Sequence, residues 1–121
     1  MDKYKEGLNL EYLELNLFKD SFGPFLTLLN EYSVKYQIRQ TRSGVPMAAS
    51  EIVEILQVAS IFPSLAAVIC AYLKNKRSRK VIITTKDNIV VHAEGLSEAE
   101  LSKILGHAKN LTVIETNNSQ N

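Results

Sequence analysis

From Leu13 to Leu17 apolar and polar residues alternate, with Leu13, Leu15 and Leu17 set against Glu14 and Asn16. Period two puts alternate side chains on one face, so a half-buried strand is predicted. Gly23-Pro24 then punctuates the chain, and Pro24 suits the first turn of a helix, where its missing N–H has no partner to lose. Phe25, Leu28, Leu29 and Tyr32 follow at i, i+3, i+4 and i+7 as one apolar stripe. Val34, Tyr36 and Ile38 alternate with Lys35, Gln37 and Arg39, which predicts a second strand. The stretch Thr41-Arg42-Ser43-Gly44-Val45-Pro46 reads as a loop, since glycine and proline both resist strand pairing.

Ser50 to about Asn75 reads as one long helix or two short ones. Its first part is amphipathic, with Ile52, Ile55, Leu56 and Ala59 inward and Glu51, Glu54 and Gln57 outward. Its second part is apolar on nearly every face. Pro63 lies between them, and an interior proline costs roughly 3 kcal/mol, so a kink or break is expected there. Val81 to Thr85 and Ile89 to Ala93 are β-rich runs around Lys86-Asp87-Asn88, a tight hairpin because Asp and Asn tolerate left-handed backbone angles. Ser97 and Glu100 form a capping box, with Leu96 and Leu101 placed as a hydrophobic staple. Leu101, Ile104, Leu105 and Ala108 give the last helix its buried stripe, and Leu111 to Glu115 make a final strand.

The element order is β-α-β-α-β-β-α-β, an α+β fold. It predicts a two-layer sandwich with helices packed on one face of a mostly antiparallel sheet. From the second strand onward the order βαββαβ is that of a ferredoxin-like variant, with one βα unit in front. Residues 1–116 read as a single domain and 117–121 as a disordered polar tail.

Composition narrows the function classes. The chain has 121 residues, 45% hydrophobic and 22% charged, which excludes intrinsic disorder. Fourteen Lys and Arg nearly balance thirteen Asp and Glu, for a net charge of +1. That is no electrostatic footprint for nucleic acid, and no nucleic-acid partner is expected. The single cysteine, Cys70, cannot form an intramolecular disulfide. No apolar signal segment opens the sequence, so a cytoplasmic address is expected. One segment contests it. Ile55 to Leu73 is nearly all apolar, and nineteen residues at 1.5 Å each approach a bilayer core of ~30 Å. A membrane-associated protein anchored there, with cations on its cytoplasmic flank, is the second reading. A buried core helix is the first, because Pro63 and two serines dilute the span and the flanking elements need an apolar surface to pack on.

No enzyme motif is present. His92 and His107 lack Cys or carboxylate partners at metal-ligand spacing, and there is no phosphate-binding glycine loop. Cys70 lies in the most apolar stretch, where a thiol behaves as a small hydrophobe. Glu98 and Glu100 are explained by helix capping. No catalytic residue, metal or cofactor is therefore expected. The strongest charge anomaly is the run Lys74, Lys76, Arg77, Arg79 and Lys80, five cations in seven residues. Cations at a helix C-terminus complement its negative end at about 0.3–1 kcal/mol each. The competing readings are contact with a protein, with anionic lipid, or with phosphates. The Gly44 to Met47 loop and this run bracket the long helix at opposite ends. Gly44, Pro46 and Met47 join the five cations as the expected partner-binding residues.

A loop Gly44-Val45-Pro46-Met47-Ala48 leads into a long small-residue-rich helix ending Ala71-Tyr72-Leu73-Lys74, then a basic cluster, a hairpin and a closing helix. This layout resembles the effector-associated constant component family of bacteria over roughly residues 11–109. Ala48 stands where that pattern has glycine, Tyr72 where it has tryptophan, and Asp87-Asn88 where Asp-Gly is usual. The resemblance implies a small non-catalytic component encoded beside effector domains, often peptidases, in bacterial conflict systems. It implies a protein partner, an effector or toxin, with the chain as adaptor or as the cognate immunity protein that holds a toxin inactive.

Overall fold

Tyr12–Phe18 forms strand β1, and the alternation of its side chains is realised: Leu13, Leu15 and Leu17 are buried while Glu14 and Asn16 are partly covered. The computed structural model of the protein describes residues 11–39, 50–74 and 77–116. The 117–121 tail and the Gly44–Met47 loop lie outside them. Helix α1 spans Lys19–Glu31. It starts five residues earlier than Pro24 suggests, so that proline sits inside the helix rather than in its first turn. Ser21 makes the early start possible. Its hydroxyl is buried and shares its proton between the carbonyls of Phe18 at 2.6 Å and Val113 at 3.0 Å, tying the helix start to the sheet. Phe25 and Leu29 continue that buried line one and two turns on.

The second strand, β2, is only Gln37–Ile38. The largest correction follows it. Ser50–Leu56 is strand β3, not the amphipathic start of a helix. The segment carries apolar residues at both helical and alternating spacing, and pairing decides between them: Tyr12 through Phe18 face Leu56 through Ser50 in unbroken antiparallel register. Val53 and Ile55 consequently point into the core, and Ile52 and Leu56 do not. A 3-10 turn at Ala59–Ile61 leads into helix α2, Phe62–Leu73. Pro63 therefore opens a helix instead of kinking one, in the first turn where proline is tolerated. Ile55 to Leu73 is not a continuous helix. No helix among the described residues is long and apolar enough to cross a membrane; α2, at twelve residues, is about 18 Å long.

Strands β4 (Arg79–Thr85) and β5 (Val90–His92) form the expected hairpin, with Asn88 at φ 66°. Helix α3, Glu98–Leu105, begins with the capping box intact: Ser97 accepts from the Glu100 amide at 3.1 Å and Glu100 accepts from the Ser97 amide at 2.9 Å. Strand β6 runs from Ala108 to Glu115, taking Ala108 from the helical stripe into the sheet. Gln57, expected to face solvent, turns inward. Its side-chain amide donates to the carbonyls of Leu105 at 3.1 Å and Ala108 at 2.9 Å, covering a helix end that would otherwise keep free acceptors.

Among the described residues six strands make one mixed sheet in the order β2-β3-β1-β6-β4-β5. It consists of two antiparallel halves, β2-β3-β1 and β6-β4-β5, joined by the parallel pair β1–β6. The first and last strands thus lie side by side at the centre. Inward residues of β1, β3, β4 and β6 join Phe25 and Leu29 of α1, Leu65, Val68, Ile69 and Tyr72 of α2, and Leu101 and Leu105 of α3 in a single core.

Candidate functional site

Helix α2 ends where Lys74 turns to extended backbone, its amide still donating to the Cys70 carbonyl at 3.0 Å. The cations that follow do not act as one charged run. Strand alternation splits them: Val81 and Ile83 are inward, so Arg79 shares their side of β4 while Lys80 is exposed on the other. Arg79 lies over the Tyr72 ring at 4.4 Å, donates from Nη1 to the Tyr72 carbonyl at 2.9 Å, and pairs through Nε with Glu115 at 3.2 Å. It fastens the last turn of α2 to the outer ends of β4 and β6. One of the orphan carbonyls of the helix terminus is satisfied in the process.

Tyr72 is fully buried beneath this contact. Its ring meets Phe25 edge-on at 5.2 Å, and its hydroxyl donates to the Ile114 carbonyl at 3.2 Å. Burial, with a smaller contribution from Glu115, pushes its pKa up to about 12.

Beside this clamp lies a pocket of about 350 Å³. Its apolar lining comes from Cys70 and Leu73 of α2 and from Ala93 and Leu96, which follow β5. Lys74, Arg77 and Arg79 supply three cations, and Glu94 one opposing charge. Gly95 completes the wall with φ 90°, a backbone conformation that side chains disfavour. Arg79 is already matched by Glu115, whereas no described residue pairs with Lys74 or Arg77. The Cys70 thiol has its pKa raised by burial first and by Glu98 second, which holds it in the neutral form. The arrangement combines an apolar lining with cations that no described residue pairs, chemistry that complements an apolar group carrying negative charge.

Of the residues expected to meet a partner, Lys74, Arg77 and Arg79 are brought together here. Lys80 is not. Lys76, Gly44, Pro46 and Met47 lie outside the described residues. The pocket's other wall, Ala93 to Leu96, reads in the sequence as a strand end and a helix staple rather than as a binding surface, although the Glu94-Gly95 turn just before the capping box marks a sharp change of direction there. His92 is exposed on β5 with Nδ1 3.9 Å from Glu94, and His107 is exposed in the turn after α3. Among the described residues no three His, Cys, Asp or Glu gather as metal ligands do.

A second cluster lies across the sheet. Glu14 of β1 and Glu54 of β3 stand directly opposite each other in register, and Arg39 answers both. Gln37 donates to Glu54 at 2.9 Å. The Arg39 and then the Gln37 hydrogen bond lower the Glu54 pKa, and Glu54 chiefly raises that of Arg39. Here one cation answers two partly exposed carboxylates, which suits the group to holding β2 on the sheet edge. No family model, no curated protein and no solved structure matches the chain.

Proposed function

We propose that the chain is a non-catalytic protein-binding module of a bacterial effector or toxin conflict system, an adaptor or a cognate immunity protein that binds and controls its partner. The observation that carries the binding half is the pocket at the end of α2, where Lys74 and Arg77 sit over an apolar lining with no ion-pair partner among the described residues. An acidic partner with an apolar anchor complements both features, and electrostatic steering would act on its association rate. The conflict-system half rests on the resemblance in layout over residues 11–109. The architecture proposed with it is two-layered and a ferredoxin-like variant; the βαββαβ order expected from the second strand starts instead at β3, and β1 lies between β3 and β6 in the sheet.

The test is Lys74→Glu combined with Arg77→Glu, measured against the product of the neighbouring effector or toxin gene. Neither side chain is buried, so the melting temperature stays within about 1–2 °C of the parent. Association at ~0.05 M salt slows about tenfold or more, and the difference shrinks as salt screens it. Unchanged association at low salt removes the pocket from the interface. No binding of the parent chain to that product removes the conflict-system assignment.

A further inference from the structure

The pocket does not stand alone, because its wall begins one residue beyond β5, the last strand at one side of the sheet. In the β4–β5 ladder Thr85 donates to the Ile89 carbonyl and Ala93 to the Val81 carbonyl, both at 2.9 Å. The register pairs 85 with 89 and 81 with 93, with 83 opposite 91 between them. In an antiparallel ladder alternate residues turn their N–H and C=O toward opposite neighbours. Odd-numbered residues of β5 therefore bond to β4, and Val90 and His92 aim theirs away from the sheet, where no described strand lies. This edge strand is three residues long and carries neither proline nor lysine, and Ile89 and Val90 are the most exposed large apolar residues described, at 58% and 57%. The opposite edge differs. There β2 is two residues long and flanked by the Arg39–Glu54 pair.

We propose, building on the protein-binding reading above, that the partner segment is an extended acidic-apolar stretch that adds to the sheet as a strand along β5. It bonds to the outward main-chain groups of Val90 and His92, seats one apolar side chain in the pocket, and meets Lys74 and Arg77 with its carboxylates. The pleat gives the placement. Val91 and Ala93 lie on the same side of the sheet as the core residues Val81 and Ile83. A residue of the added strand across from Ala93 projects to that same side, its Cβ about 5 Å from that of Ala93, at the mouth of the pocket. Main-chain bonds then supply affinity and the pocket supplies selectivity, the usual division in strand addition. Charge chooses the occupant: two unmatched cations favour an acidic segment, and a second copy of this chain would bring the same cations against themselves.

Peptides selected from a random dodecamer library against the full chain supply the probe. The enriched sequences carry an apolar residue with Asp or Glu two positions away, on the same face of the added strand. The bound peptide slows hydrogen exchange at the Val90 and His92 amides and protects Cys70, the chain's one cysteine, from iodoacetamide. Val90→Pro removes an outward donor without touching a β4–β5 bond, and weakens binding about five- to tenfold; Val90→Thr, which keeps the donor, changes it less than about threefold. Cys70 protection without amide protection overturns strand addition and leaves the pocket reading standing. Enriched peptides that protect neither overturn both. A concentration-dependent dimer of the parent chain that Val90→Pro abolishes shows that the edge belongs to a second copy, and overturns the proposal.

Discussion

Tyr72 and Glu54 show how single side chains register pH in opposite directions. Tyr72 has a raised pKa, so its contribution to stability is complete below about 10, where an unfolded tyrosine ionises, and is lost as pH rises toward about 12. Tyr72→Phe keeps the ring against Phe25 but gives up the hydroxyl bond to Ile114, a cost of about 1 kcal/mol near pH 7. Urea melts near pH 11 should find that deficit closed or reversed, because the variant has no phenol to ionise. A deficit that stays constant with pH refutes the assignment. Glu54 has a lowered pKa, so its pairing with Arg39 stabilises above the ordinary carboxylate range near 4.3 and is lost as pH falls through the depressed value. Arg39→Ala leaves Glu14 and Glu54 facing each other unscreened. Its melting temperature falls below the parent's near pH 7 and meets it near pH 2, where both carboxylates are protonated. A gap that persists in acid means that Arg39 acts through packing.

At the scale of elements, the assignments that held are those with local grammar. The Ser97–Glu100 box starts α3 where it should, and the alternation of Leu13, Leu15 and Leu17 makes β1. Helix α2 is core, as its composition required, with Leu65, Ala66, Val68, Ile69 and Tyr72 all buried. Val68→Asp places an unpaired carboxylate there at a cost above about 3 kcal/mol, and circular dichroism should show an unfolded chain at pH 7. A folded variant refutes the core assignment. Strand β3 was illegible for a physical reason. Ile52, Val53, Ile55 and Leu56 satisfy helical spacing and alternation together, and only the ladder to β1 selects one. The basic run was legible as charge but not as geometry, since a strand boundary between Ser78 and Arg79 sends Arg79 to Tyr72 and Lys80 to the far side.

For the whole molecule the decisive feature is that β1 lies between β3 and β6, antiparallel to one and parallel to the other. Remove it and the sheet parts into β2-β3 and β6-β4-β5. Residues 50–116 expressed alone retain α2, the β4–β5 hairpin, α3 and β6, yet lose the strand that joins the halves. That fragment should show no cooperative thermal transition under conditions where the full chain melts in one step. A cooperative melt would mean that the β6 half folds by itself and that β1 merely adds to it. The sequence by itself determined the α+β class, the start of the last helix, the hairpin turn, the capping box and the position of the basic cluster, because each depends on residues within a few positions of one another. The tertiary structure alone decided that residues 50–56 are a strand, that the first and last strands are neighbours, that Gln57 faces inward, and that Ala93 to Leu96 meet Lys74 and Arg77 around one pocket. Those outcomes depend on contacts between residues tens of positions apart, and no periodicity read along the chain contains them.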